Sequence, residues 1–250
     1  MHWYTYTIVG TNSMTTSRQQ NIDRFYDLLN EVTKKFPKRT LDTVSRDRLP
    51  EKGVYFFFEE NENRENSNFN RVVRIGTHAA IANSKATLYD RLYNHKGSKD
   101  LTGNHRGSVF RKLIGFSFLY KDHLDFPHWG DKSKKNDKLI KQSEKPLERI
   151  VSTYLHTLPF TVLEVPGPSS KDNDRAMIEE NSIALLSNFE RSAVDKCSND
   201  WLGKYTKDSK VIRSGLWNNK CVERKEISEN YFETIERHLK KMKNWCQHGI

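Results

Sequence analysis

The feature that most constrains the fold is a pair of short apolar runs on either side of a polar tract. The first run, GVYFFFE, begins at Gly53, and the second, RVVRIG, ends at Gly76. Aromatic and β-branched residues dominate both runs, as in β-strands, whereas the connecting ENENRENSNFN is polar, as in exposed loops. The sequence therefore predicts a β-hairpin, and the run FTVLEV before a PGP turn predicts a third strand.

Helical periodicity on both sides of these strands predicts what covers the sheet. Residues 18–36 place their apolar side chains on one face of a helix, and so does the segment EISENYFETIERHLKKMKNW near the C-terminus. Further helices are predicted between and after the strands. The expected fold is α/β (α+β): a small, mainly antiparallel three-stranded sheet flanked by helices, with helical elaborations at both ends.

The charge balance indicates the class of partner. The net charge of +10 and the pI near 9.4 favour a polyanion, with nucleic acid first and an anionic membrane surface second. The three cysteines are widely spaced and form no CxxC pair, which argues against a thiolate zinc site or a disulfide framework. With no signal peptide or membrane span in the pattern, we expect a cytoplasmic protein.

Charged residues on two of the predicted helices suggest a site. Arg91 and His95 are four residues apart and therefore share a helix face. Glu180 lies along the apolar row of its helix, whereas Glu179 lies with polar neighbours and is expected to be solvated. An inward carboxylate is costly unless it is paired. A metal ion would pair with Glu180, and a buried arginine is the alternative partner.

Six short motifs, taken in order, resemble those of the GIY-YIG nuclease superfamily. GVY at Gly53 resembles the first half of that name, and RIG at Gly76 resembles the second half, with an arginine in place of the usual tyrosine. The other four are RLYNH ending at His95, GNHRGSVFR over residues 103–111, ENSIA from Glu180, and SGLWN ending at Asn218.

The resemblance implies an organisation and an activity. It divides the chain into an N-terminal helical extension (1–50), a nuclease core (51–220) with an insertion near 120–146, and a C-terminal helix (221–250), forming one compact domain. The implied function is a metal-dependent endonuclease that hydrolyses DNA, of a restriction or defence type. The alternatives are a catalytically impaired DNA-binding module, because RIG replaces YIG, and a structure-specific repair nuclease.

The resemblance also implies roles for individual residues. Glu180 would hold Mg²⁺ (or Mn²⁺), since hard cations prefer oxygen ligands. Arg91 would bind the non-bridging phosphate oxygens, and His95 would hydrogen-bond the phosphate or the attacking group. Either Tyr55 or His78 would deprotonate or orient the attacking water.

Histidine is the favoured base, because an imidazole titrates near neutrality and Arg74 stays protonated. Five residues are expected to contact DNA or its phosphates: Arg74, His105, Arg106, Arg111 and Asn218. Asn218 has a structural alternative, which is to cap a turn. The expected partner is DNA rather than a membrane, and a homodimer is one route to cutting both strands.

Overall fold

A three-stranded antiparallel sheet forms the centre of the protein. The computed structural model describes residues 11–65, 67–78, 85–168, 170 and 173–246. The strands are β1 (Gly53–Asn63), β2 (Asn70–Gly76) and β3 (Phe160–Glu164), and their spatial order is β2-β1-β3. Both pairings are antiparallel. The predicted hairpin, third strand and fold class are confirmed.

Helices surround this sheet. Within the described residues they are α1 (Thr11–Lys35), α2 (Leu88–Lys96), α3 (Val109–Lys121), α4 (Lys138–Ser143), α5 (Lys145–Thr157), α6 (Asp174–Leu186), α7 (Ser209–Ser214) and α8 (Tyr231–Lys241). The short helices α4 and α7 were not identified from the sequence. Their polar residues, rather than an apolar stripe, made them hard to recognise.

One apolar core joins the ends of the chain to its centre. The cluster of buried side chains extends from Ile22 on α1 through the three strands to Met242, just after α8. Helix α1 packs on the sheet, where the rings of Phe25 and Phe56 lie 5.8 Å apart. The division at residues 50 and 220 stays a prediction. No helix in the described part of the chain combines the length and apolar character that a bilayer crossing requires.

The two glycines of the hairpin serve close packing. Tyr55 pairs with Gly76 across the β1–β2 ladder. A Cβ atom at Gly76 would overlap the phenol of Tyr55, so the tyrosine ring occupies the space that a side chain would take. At Gly53 a Cβ would lie 2.5 Å from the carbonyl oxygen of Leu163 on β3. Both glycines therefore allow parts of the protein itself to approach closely.

Candidate active site

A cleft of about 510 Å³ opens beside the end of β2. Its walls come from five parts of the chain: the end of β2 and the residues after it, helix α2 with Ala86 before it, Val109 at the start of α3, helix α6, and the segment 218–221. The side chains of Arg74, His78, Arg91 and Glu179 all line it. The hairpin thus brings together residues that are more than one hundred positions apart in sequence.

Tyr55 and His95 form a buried layer behind this cleft. Both residues are fully buried, and the Tyr55 hydroxyl lies 2.9 Å from Nε2 of His95. On the far side of the ring, Nδ1 of His95 lies 2.9 Å from Oγ of Ser108. Burial, together with the charges of Arg91 and Arg74, holds the pKa of His95 well below its ordinary value. The imidazole is therefore neutral at physiological pH.

Arg74 and Arg91 separate that layer from the cleft. Both guanidinium groups hydrogen-bond with the Tyr55 side chain, and Arg74 also donates to the carbonyl oxygen of Trp217. Burial lowers the pKa of Arg74 from its ordinary value, although the group stays a cation. The Nε–H of each arginine is buried without a hydrogen-bond acceptor among the described residues. The cleft therefore holds two cations with unused donors.

The carboxylate that faces these arginines is Glu179, and the prediction that Glu180 faces inward was wrong. Glu179 accepts a hydrogen bond from the backbone of Thr77. Desolvation raises the pKa of its carboxyl above the ordinary value, against the opposing effect of Arg74 and Arg91. Glu180 also borders the cleft, but its side chain is 46% exposed and its Oε2 lies 2.7 Å from Nη1 of Arg224.

The sequence did not identify the inward carboxylate because helix α6 is buried on nearly all sides. Arg175 and Ser182, the polar residues on the same side of this helix as Glu179, are both buried. Oγ of Ser182 lies 2.7 Å from the hydroxyl of Tyr231, and Arg175 donates to the carbonyl oxygen of Val165. Where polar residues are satisfied inside the core, an apolar row no longer identifies the inward face.

His78 lies in the wall of the cleft with both ring nitrogens free. It is 5% exposed, and neither nitrogen has a hydrogen-bond partner among the described residues. Desolvation, assisted by the charges of Arg175 and Lys52, lowers the pKa of His78 to about 4. This contradicts the expectation of an imidazole that titrates near neutrality. His78 is neutral at physiological pH and is a weaker base than an unshifted histidine.

Of the GNHRGSVFR segment, Val109 borders the cleft, whereas the first predicted phosphate contact of the segment is structural. The ring of His105 is 1% exposed and stacks on Trp129 with centroids 3.6 Å apart. Its Nε2 accepts a hydrogen bond from the backbone of Gly130, so its Nδ1 carries the proton and donates to Glu148 at 2.9 Å. Both nitrogens are thus used within the fold.

The two arginines of this segment also form their hydrogen bonds within the protein. Arg106 forms a two-pronged pair with Glu144, at 2.5 and 2.8 Å, and donates to the carbonyl oxygens of His128 and Asp131. Arg111 is fully buried and donates to Glu148, to Ser152 and to the carbonyl oxygen of His95. The prediction that His105, Arg106 and Arg111 bind phosphate was therefore wrong, and the segment anchors the insertion instead.

Asn218 borders the cleft but serves the hairpin. Its Oδ1 accepts a hydrogen bond from the backbone N–H of Ile75 at 3.1 Å, and its Nδ2 donates to the carbonyl oxygen of Ile75 at 2.9 Å. The side chain thereby mimics a neighbouring strand and completes the outer edge of β2. The structural alternative for this residue is the one that the geometry supports.

The donor set in the cleft suits a hard cation bound mainly by oxygen atoms. No group of three or more His, Cys, Asp or Glu side chains lies close enough to hold a metal within the described residues. Of the three carboxylates that line the cleft, Asp90 and Glu180 each form an ion pair with an arginine, which leaves Glu179 for a cation in a space large enough for water and a phosphate. Magnesium binds in this way, through one or two carboxylates together with waters and substrate phosphates. The residues present therefore fit Mg²⁺ and do not fit a zinc cage.

Two residues that support this site were not identified from the sequence. Ser108 caps helix α3 by accepting a hydrogen bond from the backbone of Arg111, and it fixes the ring of His95. Thr77 binds the carbonyl oxygen of Gly53 at 2.8 Å and contacts Glu179. A serine before the apolar run VFRKLIGF was a recognisable cap signal, whereas nothing in the local sequence marked Thr77.

Comparison with known proteins agrees with this arrangement. A family model described as the GIY-YIG domain matches residues 16–245, which is most of the chain. No curated protein and no solved structure matches it.

Proposed function

The chain belongs to the GIY-YIG domain family, and from this premise we propose that it is a metal-dependent endonuclease that hydrolyses DNA phosphodiester bonds. The family indicates a nuclease-type function. The observation that supports the proposal is a carboxylate, Glu179, facing two arginines whose Nε–H groups lack acceptors. A phosphodiester brings the anionic oxygens that such an arrangement lacks.

Glu179 is the proposed metal ligand. GIY-YIG nucleases generally depend on a divalent metal, and we propose Mg²⁺ (or Mn²⁺) for this one. When bound, the ion would neutralise charge on the phosphate oxygens and make a bound water more acidic. Because the pKa of Glu179 is raised, protons compete with the metal at a higher pH than for an ordinary glutamate.

Arg74 and Arg91 are the proposed phosphate clamp. The attack of water places more negative charge on the non-bridging oxygens, and fixed guanidinium donors stabilise that charge without reorganising. Arg74 stands where the family usually has a tyrosine, and it supplies charge that a phenol lacks. It cannot take up a proton, because a guanidinium is already protonated at any working pH.

His78 is the proposed group that orients the attacking water. Of the two predicted candidates, His78 lines the cleft, whereas Tyr55 is fully buried beneath the arginines. With a pKa of about 4, His78 is neutral and accepts a hydrogen bond from water. Tyr55 and His95 then act as positioning residues, because they hold Arg74 and Arg91 from behind.

The biological role that we propose is cleavage of foreign DNA in the cytoplasm, as in restriction. The second candidate function is DNA binding without cleavage, since RIG replaces YIG. The Glu179 carboxylate in the wall of the cleft favours the enzyme, because a pure phosphate-binding site gains nothing from an added negative charge. One cleft cuts one strand at a time, so a double-strand break requires a second copy of the chain or a second encounter.

The test is incubation with supercoiled plasmid and with linear duplex DNA, with Mg²⁺, with Mn²⁺, and with a chelator. We expect nicked or linear products only when a divalent metal is present, and none from the Glu179→Gln variant. Binding that occurs with no cleavage under any metal condition would support the second candidate instead.

A further inference from the structure

A second cavity lies next to the cleft, beyond the C-terminal half of helix α2. Its volume is about 310 Å³, and its walls are formed by Tyr93, Asn94 and the loop that follows α2 up to Gly107. Asn94 lines both this cavity and the cleft. The two cavities therefore adjoin each other at Asn94.

Tyr93 gives this cavity an aromatic wall. Its side chain is 46% exposed, although it is a large apolar ring on a helix that is otherwise well packed. One face stacks on Tyr89, with centroids 5.8 Å apart and an angle of 26° between the rings, and Arg46 covers Tyr89 in turn. Tyr93 borders the cavity, whereas Tyr89 does not.

Two amide side chains provide unused polar groups. The side chain of Asn94 makes no hydrogen bond within the described residues. Asn104 accepts a hydrogen bond from the backbone N–H of Arg106 at 3.2 Å, which fixes its oxygen and leaves its amino group directed towards Gly107, at the cavity wall. An amide presents a donor and an acceptor side by side, which is the pattern that matches the N6 and N7 atoms of adenine.

The absence of charge distinguishes this cavity from the cleft. Its wall, as far as the structure describes it, consists of neutral side chains and three glycines, Gly97, Gly103 and Gly107. A phosphate group requires cations or a set of aimed backbone donors. A free aromatic face beside unpaired amides instead suits a nucleobase, which stacks on the ring and hydrogen-bonds through its edge.

The position of Asn94 identifies which base would enter. Arg91 and Asn94 are three residues apart on α2, so their side chains are neighbours on the helix surface. If Arg91 holds the scissile phosphate, then Asn94 meets the nucleotide next to it. We propose that the cavity at Tyr93, Asn94 and Asn104 is a nucleobase subsite, which takes the base beside the scissile phosphate and matches adenine best.

This inference rests on the nuclease function proposed above, and it adds a determinant of where the enzyme cuts. A base reaches the cavity only when it leaves the helical stack, which costs a few kcal/mol and least for an unpaired base. Stacking on Tyr93 offsets that cost, since one base on one aromatic ring contributes about 1–3 kcal/mol.

The first test is binding, measured by calorimetry in the presence of a chelator so that no cleavage occurs. One tetranucleotide carries a single adenine and three abasic positions, and the other has four abasic positions. We expect the wild-type protein to prefer the first by roughly tenfold. Tyr93→Leu and Asn94→Ala should each remove that preference, while Phe69→Ala, an exposed aromatic at the far end of the hairpin, should retain it.

The second test is cleavage of a duplex library that is randomised around the cut, read by sequencing the product ends. We expect adenine to be enriched at one position beside the cut, and Asn94→Ala to abolish that enrichment without abolishing cleavage. Equal affinity for the two tetranucleotides, or an unchanged base distribution in both variants, overturns the subsite. A wild-type protein that cuts no DNA overturns the nuclease function, and the binding test then still decides the subsite.

Discussion

The cleft and the GNHRGSVFR segment contain the same kinds of residue in opposite states. In the segment, every ring nitrogen of His105 and every guanidinium nitrogen of Arg111 has a partner. In the cleft, both nitrogens of His78 and the Nε atoms of Arg74 and Arg91 have none among the described residues. His105 and Arg111 are therefore fully hydrogen-bonded as folded, whereas His78 and the two cleft arginines lack partners.

This difference in hydrogen bonding indicates which of the two regions binds a ligand. A buried donor or acceptor without a partner costs about 1–3 kcal/mol, so several in one place are retained only where a ligand completes them. Residue type and motif order did not separate these two regions. The state of their hydrogen bonds does, and the following variants test whether that state decides function.

The largest effect is expected from Glu179→Gln. The amide keeps the shape of the side chain but removes the charge that holds the metal. Cleavage should fall by roughly 10³-fold or more, because metal stabilisation of the transition state amounts to several kcal/mol. Single-turnover cleavage measures this, and DNA affinity in a chelator should change little.

The neighbouring Glu180→Gln is the matched control. It removes one exposed ion pair with Arg224, which contributes about 0–1 kcal/mol. Cleavage should stay within about threefold of wild type on that scale. A dead Glu180→Gln enzyme with an active Glu179→Gln enzyme would reverse the assignment of the metal ligand.

The next largest effect is expected from Arg111→Met, and it concerns stability. This change leaves the buried Glu148 with an unpaired charge, which costs about 3–5 kcal/mol. Urea unfolding followed by circular dichroism measures the loss. A variant of normal stability that has lost DNA binding would show that Arg111 contacts phosphate, and would contradict the structural role assigned to it here.

The pH dependence of that stability has a definite sign. Burial alone would raise the pKa of Glu148, but the hydrogen bond from His105 and the charge of Arg111 hold it below the ordinary value. Its contribution to stability is therefore complete above the pKa of an unfolded glutamate, about 4.3. The contribution is lost as the pH falls through the lower folded value.

His78→Ala should lower cleavage by about 10²-fold, the usual scale for a positioned group that orients or deprotonates water. Because the pKa of His78 is about 4, the residue stays neutral from pH 5 upward and adds no acid limb there. The acid limb should come from Glu179, whose pKa is raised, and should persist in the variant. An acid limb that disappears with His78 would show that the imidazole titrates in the working enzyme.

The smallest effect is expected from Lys112→Ala. A third cavity of about 520 Å³ shares Asn219 with the cleft and is lined by Lys112, Lys207 and Lys210. Lys112 is half-buried beside the cleft, and removing its positive charge should weaken DNA binding a few-fold and reduce the slope of log affinity against log salt by about 1. Lys34→Ala, on the exposed face of α1, is the control that should leave the slope unchanged.

The fold was predictable from local pattern, because each strand and long helix carries its own periodicity. The hairpin, the third strand and the family resemblance all follow from short runs of sequence. Helices α4 and α7 were missed, since neither has an apolar stripe to distinguish it from a loop.

The site was only partly predictable, because its chemistry depends on contacts between distant segments. Arg91 and Tyr55 were located by motif. The distinction between Glu179 and Glu180 depends on how α6 is enclosed by its neighbours, which no row of residues along one helix reveals. The pKa of His78 likewise depends on Arg175, which lies on a different element.

The contact between Tyr55 and Gly76 couples substitutions at these two distant positions. The ring of Tyr55 fills the space that a side chain at position 76 would occupy, so a substitution at either position constrains the other. A side chain gained at 76 displaces the phenol, and with it the arginines that the phenol supports. Among natural variants of this chain, the tyrosine and the glycine should therefore be kept together or lost together.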